Sequence, residues 1–235
     1  VFILLHAAPM TPERIRRWVD VPDELGDVLR KGAKESHGAV VVSGHVGNWE
    51  VLLGLASLFK DIGDLIFLVE ASVNPAVDRF LAYLRGTMGG TPERRTGGAR
   101  ALSSHLRRGG LVGLVVDRNA RRKIGGIWAP FCGLRARTTP LPGLMARRND
   151  APIAPIFCLP KPDGRYEIRL YPEPSMDVRT DDVQADILEI TTRLNRIVEE
   201  LIRERPATWN WALKRFKGRE TKEIGDYPPY SQYDP

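Results

Sequence analysis

The sequence predicts an α/β fold, with one domain in which a mixed, mostly parallel sheet is flanked by helices. At 235 residues, the chain is long enough for one sizeable domain and short for two. Its 43% hydrophobic and 27% charged residues are typical of globular proteins, which excludes disordered and collagen-like chains. Short apolar runs also alternate with helix-like segments, as in repeated strand, helix, strand units. We therefore predict a single domain over residues 1–235.

The first helix-like segment is polar and covers residues 11–34. Arg14, Arg16 and Arg17 cluster beside Trp18, either as a solvated helical face or as a surface that rests on phospholipid headgroups. Three continuous apolar runs follow, which is typical of strands buried on both faces. These predicted strands cover residues 39–43, 65–69 and 111–116. Predicted helices over residues 51–59, 74–88 and 98–108 separate them.

The helix predicted over residues 74–88 begins at a capping asparagine followed by a proline suited to the first turn. Its apolar residues fall on one side of the helix: Val77, Phe80, Leu81, Leu84 and Met88. Arg85 lies at the border of this stripe, about 80° from Val77. It is either a functional cation or a side chain whose stem only covers apolar surface.

In the second half of the chain, the sequence pattern predicts two more strands and a long helix. The strands cover residues 152–159 and 166–171, and their prolines indicate strand ends or an edge position. The helix covers residues 181–205, with two aspartates at its start and Pro206 at its end. We expect residues 218–235 to form an irregular tail.

The charge balance predicts a partner with negative charge. Lys and Arg number 35 against 29 acidic residues, a net charge of +6. Nucleic acid, an anionic membrane and a phosphorylated substrate would all fit. The sequence has no Rossmann, P-loop or helix-turn-helix pattern, so a nucleic-acid-binding protein is the alternative rather than the main prediction. No run of 18 apolar residues exists to span a bilayer.

The two cysteines, Cys132 and Cys158, are far apart and lack the spacing of metal ligands. We therefore predict no metal site and no disulfide framework, which fits a reducing compartment best.

The segment over residues 41–50 carries the strongest chemical signal. It lies where a buried strand leads into a helix, and ligands bind at such strand ends in open α/β sheets. Gly44 and Gly47 give the backbone freedom for a tight turn that could bring His45 and Glu50 together. A carboxylate bonded to one ring nitrogen leaves the other free to accept a proton. We interpret this pair as a general-base dyad, against the alternative of a histidine with only local hydrogen bonds.

The motif Gly-His-x-Gly-Asn-Trp-Glu, residues 44–50, resembles the His-x4-Asp/Glu motif of the lysophospholipid acyltransferase superfamily. It is most similar to the version in the lipid A biosynthesis lauroyl/myristoyl acyltransferases. The resemblance covers residues 32–218 and includes Ala129-Pro-Phe-Cys-Gly133, Ala136-Arg-Thr-Thr139, and the Trp209-x-Trp211 and Arg215-Phe216-Lys217 segments. It implies a glycerolipid-acyltransferase-like fold.

The resemblance implies transfer of a fatty acyl chain from an acyl carrier protein or acyl-CoA thioester to a hydroxyl of a phosphorylated membrane glycolipid. His45 would remove the hydroxyl proton and Glu50 would hold His45, with no cofactor beyond the thioester co-substrate. The further candidates for substrate binding or oxyanion stabilisation are Arg85, Asp117, Asn48, Arg118, Thr138 and Thr139. Asp117 could instead cap a turn, and the threonines could cap the next helix.

The implied partners are acyl carrier protein, a glycolipid acceptor and an anionic membrane surface, with no nucleic acid. The implied location is the cytoplasmic face of a bacterial inner membrane, and we expect an N-terminal anchor helix to precede the given sequence. The basic segment over residues 117–123 is either a cradle for phosphates or an acidic carrier, or a solvated loop. Trp209, Trp211 and Phe216 form either a membrane-interface patch or part of the core.

Two departures from the family pattern leave the acceptor open. The segment at Asp117 reads Val-Asp-Arg-Asn rather than Pro-Asp with a second Asp or His, and Pro140 follows the paired threonines. Enzymes that acylate other glycolipids, such as phosphatidylinositol mannosides, have a similar scaffold. A catalytically inactive lipid-binding relative is a further alternative, although the intact His45 and Glu50 argue against it.

Overall fold

Helices and strands alternate along the chain in the computed structural model, which describes residues 11–35, 38–69, 74–94, 98–122, 125–172, 175–220 and 227–232. The helices are α1 (Pro12–Trp18), α2 (Asp23–Glu35), α3 (Val51–Gly54), α4 (Pro75–Gly86), α5 (Gly98–Leu106), α6 (Leu141–Asn149) and α7 (Val183–Glu204). The strands are β1 (Val19–Asp20), β2 (Ala39–Ser43), β3 (Leu65–Val69), β4 (Gly90–Arg94), β5 (Leu111–Val115), β6 (Ile127–Phe131), β7 (Leu134–Thr138), β8 (Ile153–Pro160) and β9 (Tyr166–Leu170).

A seven-stranded sheet in the order β1-β9-β8-β2-β5-β3-β4 forms the centre of the molecule. Its strands pair in parallel except for β8 and β9, which are antiparallel. Strands β6 and β7 form a separate antiparallel hairpin. The predicted fold class, a mixed and mostly parallel sheet flanked by helices, is confirmed.

The two faces of the sheet bury separate sets of apolar side chains, because neighbouring residues of a strand point to opposite faces. Val40 and Val112 belong to the face covered by α5, α6 and α7. Ala39 and Leu111 belong to the other face, which packs against α2 and α3. The continuous apolar runs of β2 and β5 are explained by this burial on both sides.

Strand β8 lies inside the sheet, so the predicted edge position is wrong for its prolines. The strand pairs with β2 on one side and with β9 on the other. The predicted strand-end position is confirmed for Pro152, which directly precedes β8, and for Pro160, its last residue, whereas Pro155 lies in the interior of the strand. Pro155 has no N–H to donate to the sheet, but its carbonyl still accepts a hydrogen bond from the backbone N–H of Tyr171 at 2.9 Å.

The helix-like segment over residues 11–34 divides into α1 and α2 instead of forming one helix. Val19 and Asp20 pair in parallel with β9, which makes them a short edge strand. Pro22 follows them and restricts the residue before it to extended conformations. The β-branched valine and the proline together explain the interruption.

No sequence prediction gave bounds for β4, for the β6–β7 hairpin or for α6, the helix that follows the paired threonines. Strand β4 is a polar edge strand containing Pro92, so it has no apolar run to identify it. The hairpin turns at Cys132 and Gly133, both with positive φ, as a two-residue hairpin turn requires.

Helix α4 has Asn74 as its cap, as predicted, and ends at Gly86, two residues before the predicted end. The side chain of Asn74 accepts a hydrogen bond from the N–H of Ala76 at 2.9 Å. Its predicted apolar stripe is only partly covered. Val77 and Phe80 are exposed to 44% and 59%, whereas Leu81 is half-buried. The long helix α7 is confirmed, with Asp182 as its cap and its apolar stripe buried.

Some sequence predictions concern residues outside the described ranges. These are the predicted anchor and start of the chain, Lys123 in the basic segment, and half of the predicted tail, residues 221–226 and 233–235.

Candidate active site

The carboxyl ends of β2 and β5 bring His45 and Asp117 together. The two strands are parallel neighbours, and Ser43 at the end of β2 lies opposite Val115 at the end of β5. His45 and Asp117 each follow two residues later, so they leave the sheet side by side. This edge of the sheet is where ligands bind in open α/β folds.

Asp117 is fully buried and accepts three hydrogen bonds. The imidazole Nδ1 of His45 lies 2.8 Å from Oδ1 of Asp117, and the backbone N–H of His45 donates to Oδ2 at 2.7 Å. The indole Nε1 of Trp209 also donates to Oδ2, at 2.9 Å. The carboxylate therefore fixes the ring orientation of His45 and favours the tautomer with a proton on Nδ1.

The pKa of Asp117 is lowered although burial acts in the opposite direction. Burial raises the pKa of this carboxyl, but the hydrogen bond and charge of His45 and the hydrogen bond from Trp209 outweigh it. Asp117 is thus ionised at neutral pH. A buried carboxylate beside Nδ1 can stabilise the imidazolium that forms when His45 accepts a proton.

The predicted contact between His45 and Glu50 is wrong, because each of these residues has another partner. Asp117 occupies the Nδ1 side of His45, whereas Glu50 accepts two hydrogen bonds from Arg85. Arg85 donates from Nη2 at 2.6 Å and from Nε at 3.1 Å, in the bidentate geometry that suits guanidinium and carboxylate groups. The acidic partner of the imidazole therefore comes from the neighbouring strand instead of the same turn.

The two glycines of the motif have different roles. Gly47 has φ of 64°, and a Cβ there would lie 2.1 Å from the carbonyl oxygen of Cys158, so only glycine fits. At Gly44 the limit is space, since a Cβ would lie 3.1 Å from the carboxyl carbon of Asp117. The prediction of a glycine-dependent turn is confirmed for Gly47, whereas Gly44 makes room for the carboxylate.

A cleft of about 240 Å³ opens beside this cluster. Its polar end contains His45, Glu50, Arg85, Arg118 and Ser43. The remaining lining is formed by Val41, Trp49, Leu52, Leu53, Leu65, Phe67, Leu68, Val69, Leu81, Gly113, Leu114 and Val115. The cleft therefore has an imidazole and charged side chains at one end and a mostly apolar lining elsewhere, an arrangement that can hold an amphipathic ligand.

Ser43 is a site residue that sequence reasoning missed. Its hydroxyl is buried beside the cleft and has no hydrogen-bond partner among the described residues. Buried polar atoms are usually paired, so an unpaired hydroxyl in a cleft indicates a group available to a ligand. The signal in the sequence was its position as the polar last residue of an otherwise apolar strand, two residues before His45.

Asn48 is buried beneath the turn and is absent from the described cleft lining. Its backbone N–H donates to the carbonyl of Cys158 at 2.8 Å, and its carbonyl accepts from Val51 at 3.1 Å. These bonds involve the backbone, whereas both amide atoms of the Asn48 side chain are buried without a hydrogen-bond partner among the described residues. A substrate-binding role for this side chain therefore stays a prediction.

Thr138 and Thr139 lie away from the described cleft lining. The hydroxyl of Thr138 is buried and accepts a hydrogen bond from Nη2 of Arg215 at 2.6 Å. Thr139 accepts from the N–H of Leu141 at 3.3 Å, at the start of α6. Both geometries support the alternative in which these threonines stabilise local structure.

The basic segment over residues 117–123 and the C-terminal aromatic residues contribute only some of their side chains to the cleft or its surroundings. Arg118 lines it, while Arg121 and Arg122 are exposed. Trp209 is buried with its indole on Asp117, so it belongs to the site and the core. Trp211 is 63% exposed and packs edge-on against Trp209, with a ring-centroid distance of 4.8 Å.

Within the described ranges, no group of three or more His, Cys, Asp or Glu side chains is placed to hold a metal ion. The described helices also include none that combines the length and the apolar character needed to cross a bilayer.

The sequence of the chain was compared with known proteins, and it matches a family. Residues 2–218 match the model of the bacterial lipid A biosynthesis acyltransferases. A lipid A biosynthesis acyltransferase of Haemophilus influenzae is 24% identical over 151 residues, covering 64% of this chain and 45% of the relative. A lipid A biosynthesis myristoyltransferase of Escherichia coli is 27% identical over 162 residues, covering 68% and 47%. The matched region thus spans slightly less than half of each relative. The chain belongs to the bacterial lipid A biosynthesis acyltransferase family.

Proposed function

We propose that this chain transfers a fatty acyl group from a thioester to a hydroxyl of a lipid A precursor or a related phosphorylated glycolipid. The observation that carries the proposal is the hydrogen-bonded pair of His45 and Asp117 at the polar end of an apolar cleft. Family membership supports the reaction class, and the names of the relatives support lipid A precursors as acceptors. The thioester donor would be acyl carrier protein or coenzyme A.

The proposed chemistry needs one base and no covalent acyl-enzyme. The second ring nitrogen of His45, Nε2, takes the proton of the acceptor hydroxyl while its oxygen attacks the thioester carbonyl carbon. Asp117 stabilises the resulting imidazolium through Nδ1. The carbon–sulfur bond then breaks, and the imidazolium returns the proton to the leaving thiolate. The products are an ester and a free thiol, and His45 is neutral again.

The ion pair of Glu50 and Arg85 supports a positioning role at the same end of the cleft. Arg85 uses Nε and Nη2 for Glu50, so its Nη1 group does not take part in these two bonds. Both side chains are largely buried, at 21% exposure for Arg85 and 14% for Glu50, where charges interact more strongly than in water. We propose that the pair holds α4 against the turn and places a cation beside the substrate phosphate or the carbonyl oxygen.

The exposed side of α4 supports contact with the membrane that contains the acceptor. Val77, Phe80 and Tyr83 are 44%, 59% and 69% exposed, and Arg79 is exposed on the same helix. Leu81 and Arg85 of α4 line the cleft. An aromatic and basic surface of this kind suits the interface of an anionic bilayer. We propose peripheral association through α4, with the cleft at the bilayer surface.

The proposed activity is tested by transfer from a panel of acyl carrier protein and coenzyme A thioesters to acceptors held in anionic vesicles. Lipid A precursors and phosphatidylinositol mannosides are compared as acceptors. We expect the wild type to esterify one acceptor class, and His45→Ala to reduce the rate roughly 100-fold or more, the usual contribution of a positioned base. The same vesicles should bind the wild type more strongly than Phe80→Ser.

A matched control is His105→Ala, because His105 is absent from the cleft lining and its Nε2–H donates a hydrogen bond to the Asp64 carbonyl oxygen, 2.7 Å away. This variant should keep its acyl transfer rate. Near-normal turnover by His45→Ala would contradict the proposed base. Nanomolar, salt-dependent duplex binding without any acyl transfer would favour the nucleic-acid alternative instead.

A further inference from the structure

The floor of the cleft contains one position without a side chain. Strand β5 provides Gly113, which lies opposite Val41 of β2 and opposite Phe67 of β3. Val41 and Phe67 also line the cleft. At this depth, the glycine therefore leaves a gap between two larger side chains.

Gly113 is not required by the backbone. It lies within a regular strand and its φ is outside the left-handed region. Glycine in the middle of a strand weakens the sheet and is typical of places where a ligand approaches closely. Its half-buried state, between buried Val112 and Leu114, is consistent with an open space above it.

A side chain at position 113 would enter the cleft. A Cβ added there would lie 3.3 Å from Cβ of Phe67 and 3.5 Å from Cδ1 of Leu65, and both neighbours line the cleft. A methyl group would thus fit with a small shift, whereas a larger side chain would occupy the space that the glycine leaves open.

The cleft runs along the strands from the polar end to Leu65. Ser43 lies opposite Val115 at the polar end, and Leu65 lies opposite Leu111 at the other. These two levels are four residues apart, or about 13 Å at the rise of a parallel strand. Gly113 lies halfway, so an extended alkyl chain entering at His45 would pass over it before it reached Leu65.

We propose that Gly113 determines the length of the acyl chain that this cleft accepts. This inference rests on the proposed function, because it assigns the apolar part of the cleft to the acyl chain of the donor. The missing side chain lets the alkyl tail continue past Val41 and Phe67, and Leu65 closes the channel. A residue larger than glycine at this position would make the channel shorter and favour shorter donors.

The test compares Gly113→Ala and Gly113→Val with the wild type over a series of thioesters from hexanoyl to palmitoyl. For each donor, kcat/KM is measured. The ratio of kcat/KM for short donors to kcat/KM for long donors does not depend on the fraction of the protein that is folded, because that fraction is the same for both. We expect the ratio to rise about tenfold or more in favour of short donors, the usual discrimination for a lost methylene space. Leu65→Ala should shift the profile toward longer donors.

A matched control is Gly86→Ala, because a Cβ at Gly86 would meet nothing within 4 Å. Its chain-length profile should equal that of the wild type. The inference would be overturned if both Gly113 variants reduced transfer equally for every donor, or kept the wild-type profile. Because Gly113→Ala adds only a methyl group, it keeps the test valid if Gly113→Val fails to fold.

Binding of free fatty acids of the same lengths, measured by calorimetry on the wild type and Gly113→Ala, separates the two proposals. A shift toward shorter fatty acids without any acyl transfer would support the length-determining role of Gly113 while contradicting the proposed activity. Acyl transfer by the wild type, together with the same chain-length profile in the Gly113 variants, would support the proposed activity and contradict the length-determining role of Gly113.

Discussion

Two fully buried charges in this molecule, Asp117 and Arg215, serve as a comparison. Asp117 accepts hydrogen bonds from His45 and Trp209. Arg215 donates to the carbonyl of Arg137 at 2.7 Å and to the hydroxyl of Thr138 at 2.6 Å. Both groups lie close to segments that resemble the family signature, yet their surroundings differ.

The two charges differ in whether their hydrogen-bond partners reach an open cavity. His45 is 15% exposed and lines the cleft, so the charge of Asp117 is connected to an open cavity. The partners of Arg215 are themselves buried, with Thr138 at 0% and Arg137 at 9% exposure. Asn195, a weaker partner of Arg215 at 3.3 Å, is also at 0%. A buried charge alone therefore does not identify a site, whereas one that is linked to a cavity through a titratable partner does.

Removal of Arg215 should produce the largest change in stability. Burial lowers the pKa of Arg215 to about 10, which still leaves it charged at neutral pH. Arg215→Ala would leave its buried acceptors unpaired and create a cavity beneath Phe131, whose ring lies 4.6 Å from the guanidinium carbon. We expect the free energy of unfolding in urea to fall by about 4 kcal/mol.

The control is Arg203→Ala, because the side chain of Arg203 is 67% exposed and its ion pair with Glu199 lies at the surface. Its free energy of unfolding should change by less than about 1 kcal/mol. If Arg215→Ala were as stable as the wild type but unable to transfer acyl groups, the distinction between a structural and a functional charge would fail.

The pH dependence of stability should report on Asp117. Because the folded-state pKa of this carboxyl is lowered, its contribution to stability is complete above the unfolded-state pKa of about 4 and is lost as the pH falls through the folded-state value. We expect Asp117→Asn to be less stable than the wild type by about 2 kcal/mol at pH 7. This difference should shrink as the pH falls below about 4, measured by urea unfolding. A difference that stayed constant down to pH 2 would contradict an ionised, paired Asp117.

Much of the fold could be predicted from local sequence, because the central strands are apolar on both faces. Residues 39–43 and 65–69 were predicted with the bounds that the structure has for β2 and β3. Strand β4 could not be predicted in this way, because it is polar, contains Pro92 and depends on pairing with β3 earlier in the chain. The β6–β7 hairpin is local, but Pro130 and the arginines Arg135 and Arg137 interrupt the apolar pattern of its strands.

The site was predicted in part. His45 was identified as a candidate from its position just after a buried strand and between Gly44 and Gly47. Its carboxylate partner does not, because Asp117 is 72 residues away and reaches His45 only through the pairing of β2 with β5. Glu50 is close in sequence but the turn directs it to Arg85. A prediction of strand order would have been needed to choose between the two carboxylates.

The central claim is that Asp117, and not Glu50, supports the base. It is tested most directly by single-turnover acyl transfer with Asp117→Asn and Glu50→Gln at the same pH. We expect Asp117→Asn to reduce the rate of acyl transfer roughly 100-fold or more. The reduction in Glu50→Gln should be smaller by a factor of at least about ten. Equal losses, or a greater loss in Glu50→Gln, would contradict the account.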